Sequence, residues 1–153
     1  MRTLRHTVLT AAATTSMAVT LSVVPAQAAG PIATYQHQAF VVTNRQRADH
    51  DRVRLRNQDC VQRHAVRQAR RMARQERMFH QNLGPILRRC HLSWAGENVA
   101  YGYPTGRSVV IDGWMRSPGH RANILNRHYR VMGIGARRAD GRWYVSQVFG
   151  RHR

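Results

Sequence analysis

Apolar residues recur at two different spacings along this chain, and the order of the two is what most limits its fold. Val61, Ala65, Ala69, Met72 and Ala73 fall three and four apart, the pattern of one buried helix face. Near the C-terminus the period changes to two: Tyr144, Ser146 and Val148 alternate with Trp143, Val145 and Gln147. Helices first and antiparallel strands last predict an α+β domain rather than a parallel wound sheet.

Local signals place the other elements. Ala39, Phe40, Thr43 and Arg47 predict a first helix over residues 35–50, followed by a polar loop over 49–57. Asn57 is the expected N-cap of the second helix, with Asp59 in its first turn facing the helix dipole. That helix is expected to reach residue 78. Its far side carries Arg63, Arg67, Arg70, Arg71, Arg74 and Arg77, a solvated face whose long stems pack along the surface. Residues 81–94 read as irregular, with Gly84-Pro85 as a turn, and 96–103 as a short strand. Thr105 caps a third helix through Val109, Val110 and Trp114 to about residue 116. Ser117-Pro118 then opens a short helix over 119–125. A closing hairpin pairs 132–138 with 142–149 around Ala139-Asp140-Gly141.

The N-terminus reads as a targeting segment. Arg2 and Arg5 precede an uncharged, Thr-rich apolar run over 8–24, then Pro25 and the small-x-small site Ala26-Gln27-Ala28. The run is short and weakly apolar for a retained membrane anchor, the alternative reading. The expected division is a signal peptide at 1–28, a short leader at 29–37 and one domain at 38–153, secreted and extracellular. Cys60 and Cys90 are the only cysteines, and in an oxidising compartment they are expected to pair. The alternative is two free buried thiols.

Every one of the 25 basic residues is arginine, and the formal net charge is +18. Without Arg2 and Arg5, 23 arginines face seven acids, a net charge of +16. Such a surface attracts polyanions of any kind: nucleic acid, anionic lipid or acidic wall polymers. Arginine in place of lysine throughout is also what codon bias in a GC-rich genome produces. The arginines are spread along the chain without interleaved aromatic residues, so no specific nucleic-acid site is expected.

Familiar catalytic spacings are missing. The chain has no His-Glu-x-x-His helix, no Gly-x-Ser-x-Gly elbow and no phosphate-cradling glycine loop. Among the acids only Glu97 sits in an apolar, glycine-flanked segment, where an isolated charge would be costly and a partner is required. It either orients a functional group or simply fixes a turn. His64, His91 and His128 read as surface or loop histidines, and Trp114 and Trp143 as core anchors.

Gly96-Glu97-Asn98-Val99-Ala100-Tyr101-Gly102 resembles the Gly-Glu-Asn box of the CAP superfamily of cysteine-rich secretory, antigen 5 and pathogenesis-related proteins. Trp114-x-x-Ser117-Pro118-Gly119-His120-Arg121-x-Asn123-Ile124-Leu125 is similar to that family's bacterial signature. Asn44-x-x-Arg47-Ala48, Ala69-x-x-Met72-Ala73 followed by His80, and Gly133-Ile134-Gly135 with Gln147-x-Phe149-Gly150 complete five pieces in order, over residues 40–150. The resemblance implies an α-β-α sandwich around a central antiparallel sheet, with a cleft holding two histidines and acidic residues. Carried over by position, these are His80, His120 and Glu97, with Asn98, Ser117 and Asn123 beside them. In many eukaryotic members a second acid lies on the helix that corresponds to the one containing Trp114; here that stretch is read as offering Ser117 and no carboxylate. Asn123, three residues after His120, is placed either to orient it or to cap its helix.

His80 and His120 are thus candidate ligands for Zn²⁺, and Glu97 the group that orients a histidine. Three functions follow as expectations. The first is a non-catalytic, monomeric binding protein for a lipid or an anionic envelope component. The second is a metal-dependent hydrolase using His80, His120 and Glu97. The third is an arginine-driven polyanion binder whose affinity collapses with salt and ignores both histidines.

Overall fold

The computed structural model describes residues 30–153. The signal-peptide region therefore lies outside the described residues. The expected leader does not form a separate segment: α1 is Pro31–Ala48, started by proline at the head of the helix, so residues 31–37 are helical. Tyr35, Ala39, Thr43 and Arg47 form its buried face.

The second helix, α2 (Asp59–Arg74), carries the apolar stripe read from the sequence; the five flanking arginines it contains are exposed, as is Arg77 beyond its end. Two details differ from expectation. Gln58 rather than Asn57 caps it, its side-chain oxygen accepting the Val61 N–H at 2.7 Å. Asn57 instead belongs to a two-residue strand, β1 (Arg56–Asn57). The helix also stops at Arg74, because the chain reverses through Glu76 at φ 47°.

Residues 81–94 are not wholly irregular. Gly84–Arg89 forms a short helix, α3, with proline in its first turn, and β2 (Leu92–Tyr101) begins well before Gly96. The Cys60–Cys90 disulfide is present and joins the first turn of α2 to the end of α3. Thr105 caps the next helical segment reciprocally with Ser108. That segment starts as α4 (Gly106–Ser108), widens to a π-turn over Val109–Gly113 and tightens to a 3₁₀ turn at Trp114–Arg116. α5 (Pro118–Ile124), β3 (Val131–Ala139) and β4 (Arg142–His152) complete the chain. Asp140 and Gly141 take positive φ in the hairpin turn.

The strands order as β1-β3-β4-β2, with β2 at one edge. All pairs are antiparallel except the short β1–β3 contact, which is parallel. Alternation divides the sheet into two faces. One face packs Val131, Val148, Val99 and Tyr144 against α2 and α3. The other packs Met132, Ile134, Val145 and Phe149 against α1, Val109, Val110, Trp114 and Ile124. The domain is therefore an α-β-α sandwich.

The α2 layer sits unusually close to the sheet. A Cβ on Gly133 would lie 2.5 Å from the Gln62 backbone, and one on Gly135 would strike the Ala65 carbonyl. Glycine at these two positions lets the layers meet. In the opposite layer the buried Arg47 donates from Nε to Val53 O at 2.8 Å and from Nη1 to Ile124 O at 2.5 Å and Asn126 O at 3.0 Å. It ties α1 to the end of α5. Burial, with Arg130 and Arg52 nearby, pulls its guanidinium down to about 10.

Candidate functional site

Glu97 lies mid-way along β2 on the α2 face, with its side chain 2% exposed. Both oxygens are fully engaged. Oε2 accepts from His80 Nδ1 at 2.9 Å and from the Gln81 backbone N–H at 3.0 Å. Oε1 accepts from Gln81 Nε2 at 2.7 Å and from Ser146 Oγ at 2.8 Å. Four donors match the four lone-pair directions of a carboxylate, which is how a buried charge is tolerated. His80 must donate through Nδ1 to an acceptor-only carboxylate, so its Nε2 is the nitrogen left for other partners. The segment carrying His80 is anchored by Gln68 on α2, which donates to Phe79 O at 2.5 Å.

The other wall comes from the opposite layer. Asn98 points to the other face of β2, where its Nδ2 donates to His120 O and to Gln147 Oε1, both at 3.1 Å. Gln147 continues the network to Thr43 on α1 at 2.8 Å. Asn98 thus fixes the backbone from which His120 projects. Asn123 does not orient the His120 ring, contrary to expectation. It donates instead to Glu97 O at 3.2 Å and Asn98 Oδ1 at 2.9 Å, closing part of the open edge of β2. Trp114 does the same one residue pair further on, donating Nε1 to Val99 O at 3.2 Å.

Beside this edge is a cavity of about 260 Å³, lined by Met78, Tyr101, Tyr103, Gly113, Ser117 and His120 among others. Ser117 therefore faces the same space as His120. The only acid on the Trp114 helix, Asp112, pairs with Arg116 at the surface at 3.3 Å. His120 is held below the ordinary imidazole range, first by burial and then by the charge of His80. Both causes favour the neutral form of the His120 ring.

Gln81 and Ser146 were not singled out in the sequence. Gln81 follows a candidate ligand directly. Ser146 is a small polar residue on the inner face of an apolar strand, and that was the only available signal. His64 is the clearest correction among the histidines: it is 6% exposed on α2, not a surface residue. Its ring lies with the sulfurs of Cys60 and Cys90 within 4.8 Å, but those sulfurs are bonded to each other and offer no thiolate. His91 is exposed, as expected, while His128 is half-buried and stacks on Trp94 at 4.4 Å. Trp114 is buried in the core, and Trp143 packs against Tyr35 at its margin.

The profile of the cysteine-rich secretory protein family, CAP, matches residues 41–149. The chain belongs to the CAP family. Its relatives include an uncharacterized membrane protein of Bacillus subtilis, YlbC, 40% identical over 57 residues, which are 37% of this chain and 15% of that protein. This CAP domain also superposes on an extracellular SCP-domain protein of Bacillus anthracis with TM-score 0.67 and 26% identity, over 82% of this chain and 45% of that one. A cysteine-rich secretory protein of Staphylococcus aureus shares the fold, with TM-score 0.65 and 24% identity over 76% and 38% of the two chains. The CAP domain here thus spans less than half the length of these relatives. None of its described helices is long and apolar enough to cross a membrane.

Proposed function

We propose that this CAP domain is an extracellular or envelope-associated binding protein, exported through its N-terminal segment, in which His80 and His120 hold a divalent metal at the mouth of an apolar cleft. The observation that carries the reading is the saturation of Glu97 by four donors. A carboxylate with every lone pair engaged orients His80 and has none left to activate a water. The donor set suits zinc: His80 presents Nε2, and burial favours the neutral form of His120, the form an imidazole must have to ligate. A bound zinc would supply Lewis acidity, and with two protein ligands its remaining positions would be open to ligand or water. The cavity beside His120 favours a small apolar group, such as a lipid chain or an apolar segment of an envelope component.

The hydrolase reading requires a free base as well as a metal. With Glu97 saturated and Asp112 at the surface, the cleft offers only the imidazoles and Ser117.

Calorimetric titration with Zn²⁺ tests the proposal. Wild type should bind one ion, and His80→Ala and His120→Ala should each weaken binding by about tenfold or more while keeping the native circular dichroism. Wild-type affinity in both variants would refute the cleft assignment. Hydrolysis of ester or peptide substrates that vanishes in a folded His120→Ala variant would replace binding by catalysis.

A further inference from the structure

The arginines of this domain are not equivalent once their partners are traced. Along the flank of α2, Arg67 sets its guanidinium 3.1 Å from the His64 ring nitrogens. Arg71 and Arg77 lie over the Phe79 ring at 5.3 and 5.0 Å. Arg70 and Arg74 do neither. They face Arg137 and Arg138 at the end of β3 across a groove of about 400 Å³, floored by Ala73 and Ala139. Among the described residues, the side chains of Arg70, Arg74 and Arg137 make no hydrogen bond or ion pair. Arg138 makes one bond, to Gly141 O at 3.3 Å. Glu76 stands on the rim but forms no ion pair with any of them, the described pairs being His80–Glu97 and Arg116–Asp112.

Four unneutralised guanidiniums around one concavity repel one another. Arg70 and Arg74 are a like-charge pair one helical turn apart, an arrangement that destabilises a helix. Codon usage explains why the residues are arginine rather than lysine. It does not explain why these four line one groove with no carboxylate paired to any of them. Guanidinium forks match phosphate oxygens two at a time, and several forks along a groove suit a chain of phosphates better than one ion. No aromatic side chain lines the groove, so it has no surface on which a nucleobase could stack.

We propose that the groove between the C-terminal half of α2 and the β3–β4 hairpin binds a base-free phosphate polymer, such as a polyol phosphate chain, through Arg70, Arg74, Arg137 and Arg138. The site is separate from the His80–His120 cleft and shares no lining residue with its cavity.

The test uses a synthetic glycerol-phosphate oligomer and a single-stranded DNA oligomer of equal charge, titrated into the protein at several salt concentrations. Wild type should bind the glycerol-phosphate oligomer more tightly than the DNA. The double variant Arg70→Gln/Arg137→Gln should bind it about tenfold more weakly at roughly physiological salt, with the slope of log affinity against log salt reduced by about two. The charge-matched control Arg107→Gln/Arg153→Gln, at exposed positions elsewhere, should stay within about twofold of wild type. Equal losses in both double variants would reduce the effect to net charge and overturn the site. DNA binding as tight as the base-free oligomer, or no binding by wild type, would overturn the ligand class. Both double variants change only exposed side chains, and circular dichroism checks that each is folded.

Discussion

Ser146 on β4 donates its hydroxyl to Glu97 on β2 at 2.8 Å, although the two residues are 49 apart in sequence. The bond crosses the sheet on its buried α2 face and fills the last acceptor site of an almost fully buried carboxylate. Ser146→Ala should therefore destabilise the domain by about 1.5–3 kcal/mol, the range for a hydrogen bond to a buried charge. Urea denaturation of the variant measures this. A change indistinguishable from zero would mean that the carboxylate is satisfied without it.

Cys60–Cys90 closes a loop with a sequence separation of 30. In the chain-entropy account such a crosslink contributes on the order of 3 kcal/mol. The Cys60→Ser/Cys90→Ser double variant should lose about that amount in denaturant titrations, and intact-mass analysis of the wild type should show two hydrogens gained on reduction.

Stability should fall in mild acid. Burial, assisted by Arg67, Arg89 and Arg63, keeps the His64 imidazole below its ordinary value of 6.5, and burial does the same to His120. In the unfolded chain both rings take up a proton near 6.5, while the folded state resists until a lower pH. Their neutral forms therefore favour folding in full above about pH 6.5, and that advantage is lost as pH drops through 6.5 toward the folded values. Denaturation midpoints from pH 7.5 to 5 should decline, and His64→Leu should flatten the decline. An unchanged slope in that variant would remove His64 from the account.

Two glycine-to-alanine substitutions should have opposite signs. At Gly135 the new Cβ meets the Ala65 carbonyl of α2 and should cost about 1–3 kcal/mol through overpacking. At Gly119, in α5, a Cβ enters open space, and alanine should stabilise by up to about 1 kcal/mol through helix propensity. Thermal melts of the pair give both readings.

How much of this was legible depended on whether a residue's role is local. α2 was legible because Val61, Ala65, Ala69 and Met72 carry its period unaided. The closing hairpin was legible because alternation and Asp140-Gly141 are both local signals. α3 was not, since Gly84-Pro85 marks a turn and the first turn of a helix equally well. Its single buried apolar residue, Ile86, gains meaning only from the core it enters. The motif around Glu97 marks the carboxylate but not its donors. Ser146 reaches Glu97 because β2 and β4 pair with Glu97 opposite Val148, a register that residue identities alone do not disclose. His64 was misplaced for a related reason: helical position does not show that a disulfide and α3 cover that turn.

The disulfide has one more effect, on how the cleft yields. The segment bearing His80 and Gln81 is tied covalently at both ends, Cys60 before it and Cys90 after it, and is clamped again at Glu97. The facing segment, residues 105–125, has no covalent tie, contains a π-turn and a 3₁₀ turn, and holds to β2 through Trp114, Asn98 and Asn123. The two sides of the cleft thus differ in compliance: one is an anvil and the other a hinged jaw. Strain placed on the cleft should therefore fall on the His120 side before it reaches the crosslinked His80 side.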